Sequence, residues 1–198
     1  HRPFRRQRQM CIRDRCNTDV VSAYDIDVLL PVSTYLKAEK MCKDEYDLVY
    51  PFGFGTQENQ VKWQKKVFAS DELVSDFLNQ NFDFSIFENH SQKDRAQWGH
   101  AQFFKRTSYI EGGMENENFK AWGPEDEEKH YRFPKLGYNI GRVIDWVYHL
   151  EHSRGDDSER TNIYFHDNLK LMEDIRSLSE EELKNYYNTQ EYLKKYHD

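Results

Sequence analysis

Three short stretches of the chain hold residue types that can do chemistry together. Asp25-Ile26-Asp27 sets two carboxylates two residues apart. In a strand such residues point to one side, so both can face one cation or the diphosphate it carries. Their hard oxygens suit magnesium or manganese, although two acids at a strand end are also routine as solvated groups. Gly123-Pro124-Glu125-Asp126-Glu127-Glu128 carries four acids in succession beside Trp122. In a helix first turn each is stabilised by about 0.3–1 kcal/mol through the macrodipole. One of them can instead be a general base for a hydroxyl held against the aromatic face. His149-Leu150-Glu151-His152, with Ser153-Arg154 behind, carries two imidazoles three apart. They converge on one metal in a turn or helix and diverge in a straight strand, where one is packed and the other exposed. Zinc there needs a third ligand, which Asp27 can supply only across the fold.

The elements that must position these groups alternate. Asp19 to Asp27, with Val20, Val21, Ala23 and Ile26, reads as a buried strand whose C-terminal end presents the carboxylates. Ser33 is expected to cap a helix running to about Met41, and Leu48-Val49-Tyr50 a strand closed by Pro51, Gly53 and Gly55. Ser70-Asp71-Glu72 before Leu73, Val74, Phe77 and Leu78 predicts a capped amphipathic helix. Ala101 to Phe104 reads as a strand, Arg106 to Glu111 as a short helix, and Gly112-Gly113 as a stop where backbone can approach a ligand. Pro124 suits a first helical position. Tyr138 to Leu150 reads as strand, and the tail from Thr161 as helical, with Leu169, Met172 and Ile175 spaced by threes and a Ser179/Glu182 capping box.

The 198 residues are 37% hydrophobic and 32% charged, enough for one domain, or one plus a subdomain, with a core. The net charge of −7 comes from interspersed signs, which argues against nucleic acid as a partner. No stretch approaches the roughly 18 apolar residues of a membrane span. Three cysteines without a CxxC pair support neither a disulfide framework nor a zinc knuckle, so a reducing compartment is expected. Residues 1–15 hold six arginines and one acid with no apolar period, and Met10 to Arg15, MCIRDR, resembles the translation of a sequencing-library adapter. Without them 22 basic and 34 acidic residues remain, a net charge near −12. The expectation is an artefact over 1–15, a truncated native chain over 16–160, and a helical extension over 161–198.

In this order the clusters are more specific than separately. Trp98 to Glu128, WGHAQFFKRTSYIEGGMENENFKAWGPEDEE, followed by HLEHSR, resembles the β-1,4-galactosyltransferase family and its bacterial relatives in capsule and chondroitin-type polysaccharide synthesis. The likeness runs from Asp19 to Arg154. It implies a GT-A-like α/β fold, a mixed sheet flanked by helices, here lacking its N-terminal strands. It implies a manganese (or magnesium) site of Asp27 with His152 and His149, and Asp25 nearer the donor ribose and phosphates. The W-G-x-E-D motif falls on Trp122, Gly123, Glu125 and Asp126, with Asp126 as catalytic base, Glu125 beside it, and Trp122 lining donor-sugar and acceptor sites. Gly99-His100 stands where the family often has a glycine pair near the donor sugar. Pro124 replaces the second glycine of W-G-G-E-D and leaves both acids in register. Gly112, Gly113, Glu115 and Asn116 are expected to position the acceptor.

The activity so implied is inverting transfer of a sugar from a UDP-sugar to a glycan hydroxyl, on the cytoplasmic side and peripheral at the inner membrane face. Two other readings stand beside it. One is a carbohydrate-binding domain of the same fold without turnover, and the other a metal-dependent hydrolase built on His149, His152 and Asp27.

Overall fold

The structure, a computed structural model, describes residues 17–56, 58–153, 155 and 160–196. The adapter-like residues 1–15, Cys16 and Arg154 lie outside the described residues. Among the described residues eight strands follow in chain order: β1 Val20–Tyr24, β2 Val28–Leu29, β3 Leu48–Tyr50, β4 Gln64–Val67, β5 Ser91–Asp94, β6 Ala101–Lys105, β7 Ile140–Arg142 and β8 Val147–Leu150. The α-helices are α1 Val32–Asp44, α2 Asp71–Asn79, α3 Arg106–Glu111, α4 Glu125–Lys135, α5 Phe165–Ser177 and α6 Glu180–Asn188, with short 3-10 helices at Phe84–His90 and Glu191–Tyr196.

The strands form two mixed sheets, ordered β1-β6-β3-β7 and β2-β8-β4-β5. In the first, β6 is antiparallel to β1 and β3, and β3 runs parallel to β7. In the second, β8 is antiparallel to β2 and parallel to β4, which is antiparallel to β5. The result is a mixed α/β fold with helices against its sheets, as the sequence predicts at that level. Strand β3 is buried at all three residues, which explains why Leu48-Val49-Tyr50 is apolar without alternation.

One cluster of buried side chains joins Leu48, Phe104 and Val147 from the sheets to Phe133 of α4 and to Met172, Ile175, Leu183, Tyr187 and Leu193 from the C-terminal helices. The last two helices therefore close the same core as the strands. A fully buried network ties them to α4. Glu128 pairs with Arg132 at 3.1 Å and accepts from the Tyr187 hydroxyl at 2.6 Å, while the Arg132 guanidinium donates to the carbonyls of Gly112 and Met114.

Several local expectations are met. Ser70 caps α2 by accepting from the Leu73 amide, and Ser179 and Glu182 form both halves of the capping box. Three need correction. Asp25-Ile26-Asp27 is a turn, closed by the Val28 amide donating to the Asp25 carbonyl, because β1 ends at Tyr24 and the chain crosses to the second sheet. Helix α1 has Pro31 at its cap with no side-chain cap and runs on to Asp44. Tyr138 to Leu150 is two strands in different sheets, parted where Asp145 accepts from the Thr34 hydroxyl.

Candidate functional site

The turn between β1 and β2 is the point where the chain changes sheet, and it carries Asp25 and Asp27 there. Register does the rest. Strand β2 pairs with β8 so that Val28 faces His149, and the Leu150 amide donates to the Asp27 carbonyl at 2.8 Å. Beyond β8 the chain carries His152 to Asp27, with Nε2 2.7 Å from Oδ2. His149 Nε2 lies 3.6 Å from the same oxygen. One ligand atom each from Asp27, His149 and His152 lies within 4.8 Å of the others, a grouping that could hold a metal ion.

The imidazoles are oriented from behind. His149 is buried, and its Nδ1 lies 2.9 Å from Glu151 Oε1, the carboxylate-histidine arrangement that fixes a ring whose other nitrogen binds metal. His152 Nδ1 lies 2.8 Å from the Ser153 carbonyl, which only accepts, so this nitrogen carries a proton and Nε2 is left toward Asp27. Glu151 was not singled out in the sequence, though its place two residues after His149 at a strand end is a signal that puts both on one side. Two nitrogen donors and one carboxylate suit manganese, zinc or iron better than magnesium, which prefers oxygen.

Asp25 is exposed at the start of the turn, its amide donating to the His100 carbonyl at 2.9 Å. Its carboxyl is pushed up to about 6 by burial and by the negative charges of Asp126 and Asp27, against the pull of His149 and Lys129. Asp25 therefore shares one field with Asp126 and the histidine cluster. Positive-φ backbone at His100 (φ 74°) sets its ring 5.4 Å from that of His149.

Asp126 stands in the first turn of α4, where Pro124 is the cap and Glu125 the first helical residue. Its Oδ1 accepts from Gln102 Nε2 at 3.2 Å and is 3.1 Å from Lys129 Nζ. A Cβ placed on Gly99 would lie 3.2 Å from Asp126 Oδ2, so glycine keeps the approach to that oxygen open. Lys129 is almost fully buried and reaches Glu115 at 2.6 Å. Neither Gln102 nor Lys129 belongs to the motif, and a lysine after four acids reads as helix surface charge; nothing in the pattern marks it as turned inward.

Trp122 is stacked face to face on Phe165 of α5, ring centres 5.6 Å apart and 13° from parallel. Asn168 donates to the carbonyls of Lys120 and Trp122, and Asn162 also donates to that of Trp122. Gly123 is glycine for a reason of space: a Cβ there would come within 2.6 Å of Asn168 Nδ2. Helix α5, part of the expected helical extension, thus braces the Trp122 loop, and only the fold reveals this.

The acceptor expectation for Gly112, Gly113 and Asn116 needs correction. Gly112 and Gly113 are buried, with a Cβ on Gly113 (φ 97°) meeting the Tyr187 ring at 2.3 Å and Arg132 at 2.6 Å. Asn116 is buried and donates to the hydroxyls of Tyr186 and Tyr187. These three face the protein interior because the C-terminal helices pack on them. Asp25, Asp27, Gly99, His100, Glu115, Asp126, His149 and His152 form the connected region, and Trp122 adjoins it on the loop before α4. Among the described residues no helix is long and apolar enough to cross a membrane. No protein-family model matches the chain, and no curated protein matches it.

Proposed function

We propose that the chain is a GT-A-type inverting glycosyltransferase, moving a sugar from a UDP-sugar to a hydroxyl of a glycan acceptor in capsular or other surface polysaccharide synthesis. The observation that supports it is the convergence of Asp27, His149 and His152, with Asp25 linking that cluster electrostatically to Asp126. The resemblance of the W-G-x-E-D and H-x-x-H stretches supplies the reaction class. The donor set fits manganese. A divalent ion held there would supply Lewis-acid neutralisation of the charge on the departing diphosphate.

The chain's own residues do the remainder. Asp126 accepts the proton of the acceptor hydroxyl as that oxygen bonds to the anomeric carbon, and the bond from that carbon to the diphosphate oxygen breaks with its electron pair. Attack from the opposite face inverts the centre in one step, with no glycosyl-enzyme intermediate. Glu151 keeps His149 oriented, Asp25 faces the donor ribose and phosphates, and Trp122 presents its face not covered by Phe165 to a sugar ring.

Isothermal titration of the full chain with UDP and manganese chloride tests the reading. Mutual strengthening of the two ligands supports it, especially with UDP release from UDP-sugars. Mutual strengthening without release under any acceptor condition points to the silent carbohydrate-binding reading. Metal binding indifferent to UDP favours the hydrolase, and absence of both kinds of binding overturns the proposal.

A further inference from the structure

Lysines on helices keep their ammonium in water and bury only the stem. Lys129 does the reverse, with its side chain 2% exposed and its ammonium between Glu115 (2.6 Å) and Asp126 (3.1 Å). Stability does not call for it, since α4 already has its buried ion pair in Glu128 and Arg132, and a buried charge costs free energy unless well paired. Burial works against the lysine charge, but Glu115 and Asp126 outweigh it and hold the ammonium above the ordinary lysine range.

The arrangement acts on one oxygen of Asp126. Oδ1 takes both Gln102 and Lys129, whereas Oδ2 receives no donor among the described residues and is the oxygen left approachable by Gly99. Exposure rises outward along the chain of charges, from 2% at Lys129 to 40% at Asp126. We propose that Lys129 is a positioning residue, clamping Oδ1 of Asp126 so that Oδ2 is the atom that takes the acceptor proton, with Glu115 balancing the buried charge. This rests on the transferase reading above and adds to it a residue that the motif does not contain. A carboxylate fixed by one oxygen cannot swing away from the hydroxyl, and loss of such alignment costs about a hundredfold in rate.

The test compares the full chain with Lys129→Met and Lys129→Arg, reading UDP release from UDP-glucose, UDP-galactose, UDP-N-acetylglucosamine and UDP-glucuronate with manganese and free hexose acceptors. Lys129→Met is expected to lower kcat by about 30- to 100-fold. Donor KM and manganese affinity, the latter read by electron paramagnetic resonance, should stay at wild-type values. Lys129→Arg, which keeps the buried charge and so the fold, should fall between the two in kcat and shows the same split by itself where the methionine variant does not fold. Wild-type kcat in both variants, or equal losses in kcat and manganese affinity, overturns the positioning role alone. A wild-type chain that neither releases UDP nor binds manganese overturns the transferase reading and this inference with it.

Discussion

His152 Nε2 and Asp27 Oδ2 lie 2.7 Å apart although 125 positions separate the two residues. The contact depends on strand register: Val28 opposite His149 holds β2 against β8 and so brings the segment after β8 to Asp27.

Asp27→Ala and Asp126→Asn should therefore part company. The first removes a member of the proposed metal site and is expected to abolish manganese-dependent UDP binding and any transfer. The second leaves Asp27, His149 and His152 in place and should lose transfer by at least about a hundredfold while keeping metal affinity. Titration calorimetry beside a turnover assay reads both; small equal losses in the two variants would contradict the roles given.

Arg132→Leu should destabilise the fold by about 3–5 kcal/mol, because it strands the buried Glu128 carboxylate and the carbonyls of Gly112 and Met114. Lys184→Ala, which removes an exposed pair with Glu180, should leave the midpoint of urea unfolding unchanged.

His130 sits between Tyr50 and Trp98, with its ring 5.6 Å from each, and burial, aided by the Arg142 charge and opposed by Glu127, holds it below its usual value of 6.5. The unfolded chain takes up this proton first. Its contribution to stability is thus full above the unfolded value near 6.5 and is lost as pH falls through the lower folded value. Thermal melts from pH 7 to 5 should show His130→Gln with a flatter decline than wild type.

Cys42 is buried with Ala38, Val49 and Phe103, and burial, reinforced by Asp47, pushes its thiol up to about 12. In a chain carrying Cys11→Ser and Cys16→Ser, the remaining thiol should resist alkylation at pH 8 and react at full rate only in denaturant. Prompt labelling of the folded protein would contradict this burial.

Asn168→Ala removes donors to the carbonyls of Lys120 and Trp122 and should cost about 1–3 kcal/mol. On the proposed transferase activity it should raise the KM for acceptor more than that for donor, since α5 braces Trp122 and not the turn at Asp27. Equal changes in the two constants would argue against that division.

The parts of this arrangement that were legible in sequence are those carried by local chemistry. Ser70 and the Ser179/Glu182 box announced helix starts, and Asp27, Asp126, His149 and His152 were distinguishable as groups with ligand or base chemistry. What stayed hidden depends on pairing across the fold. Gln64–Val67, reading QKKV, has no apolar alternation because Lys65 lies buried between Trp146 and Tyr148 with Glu88 as partner, a solution only the neighbouring strand makes possible. The glycines at 112 and 113 read as ligand approach because nothing local shows that Tyr187 would fill the space. Lys129 and Phe165 escaped notice for the same reason, Glu115 and Trp122 being brought to them only by the fold.

Because Leu183, Tyr187 and Leu193 complete the cluster that also contains Leu48, Phe104 and Phe133, the tail and helix α4 are one inheritable unit. A chimera that exchanged everything after Leu150 would leave Glu128 facing a stranger where Tyr187 had stood. Grafting a new C-terminal segment onto this scaffold therefore requires carrying that tyrosine along, or redesigning Glu128 and Arg132 in the same step.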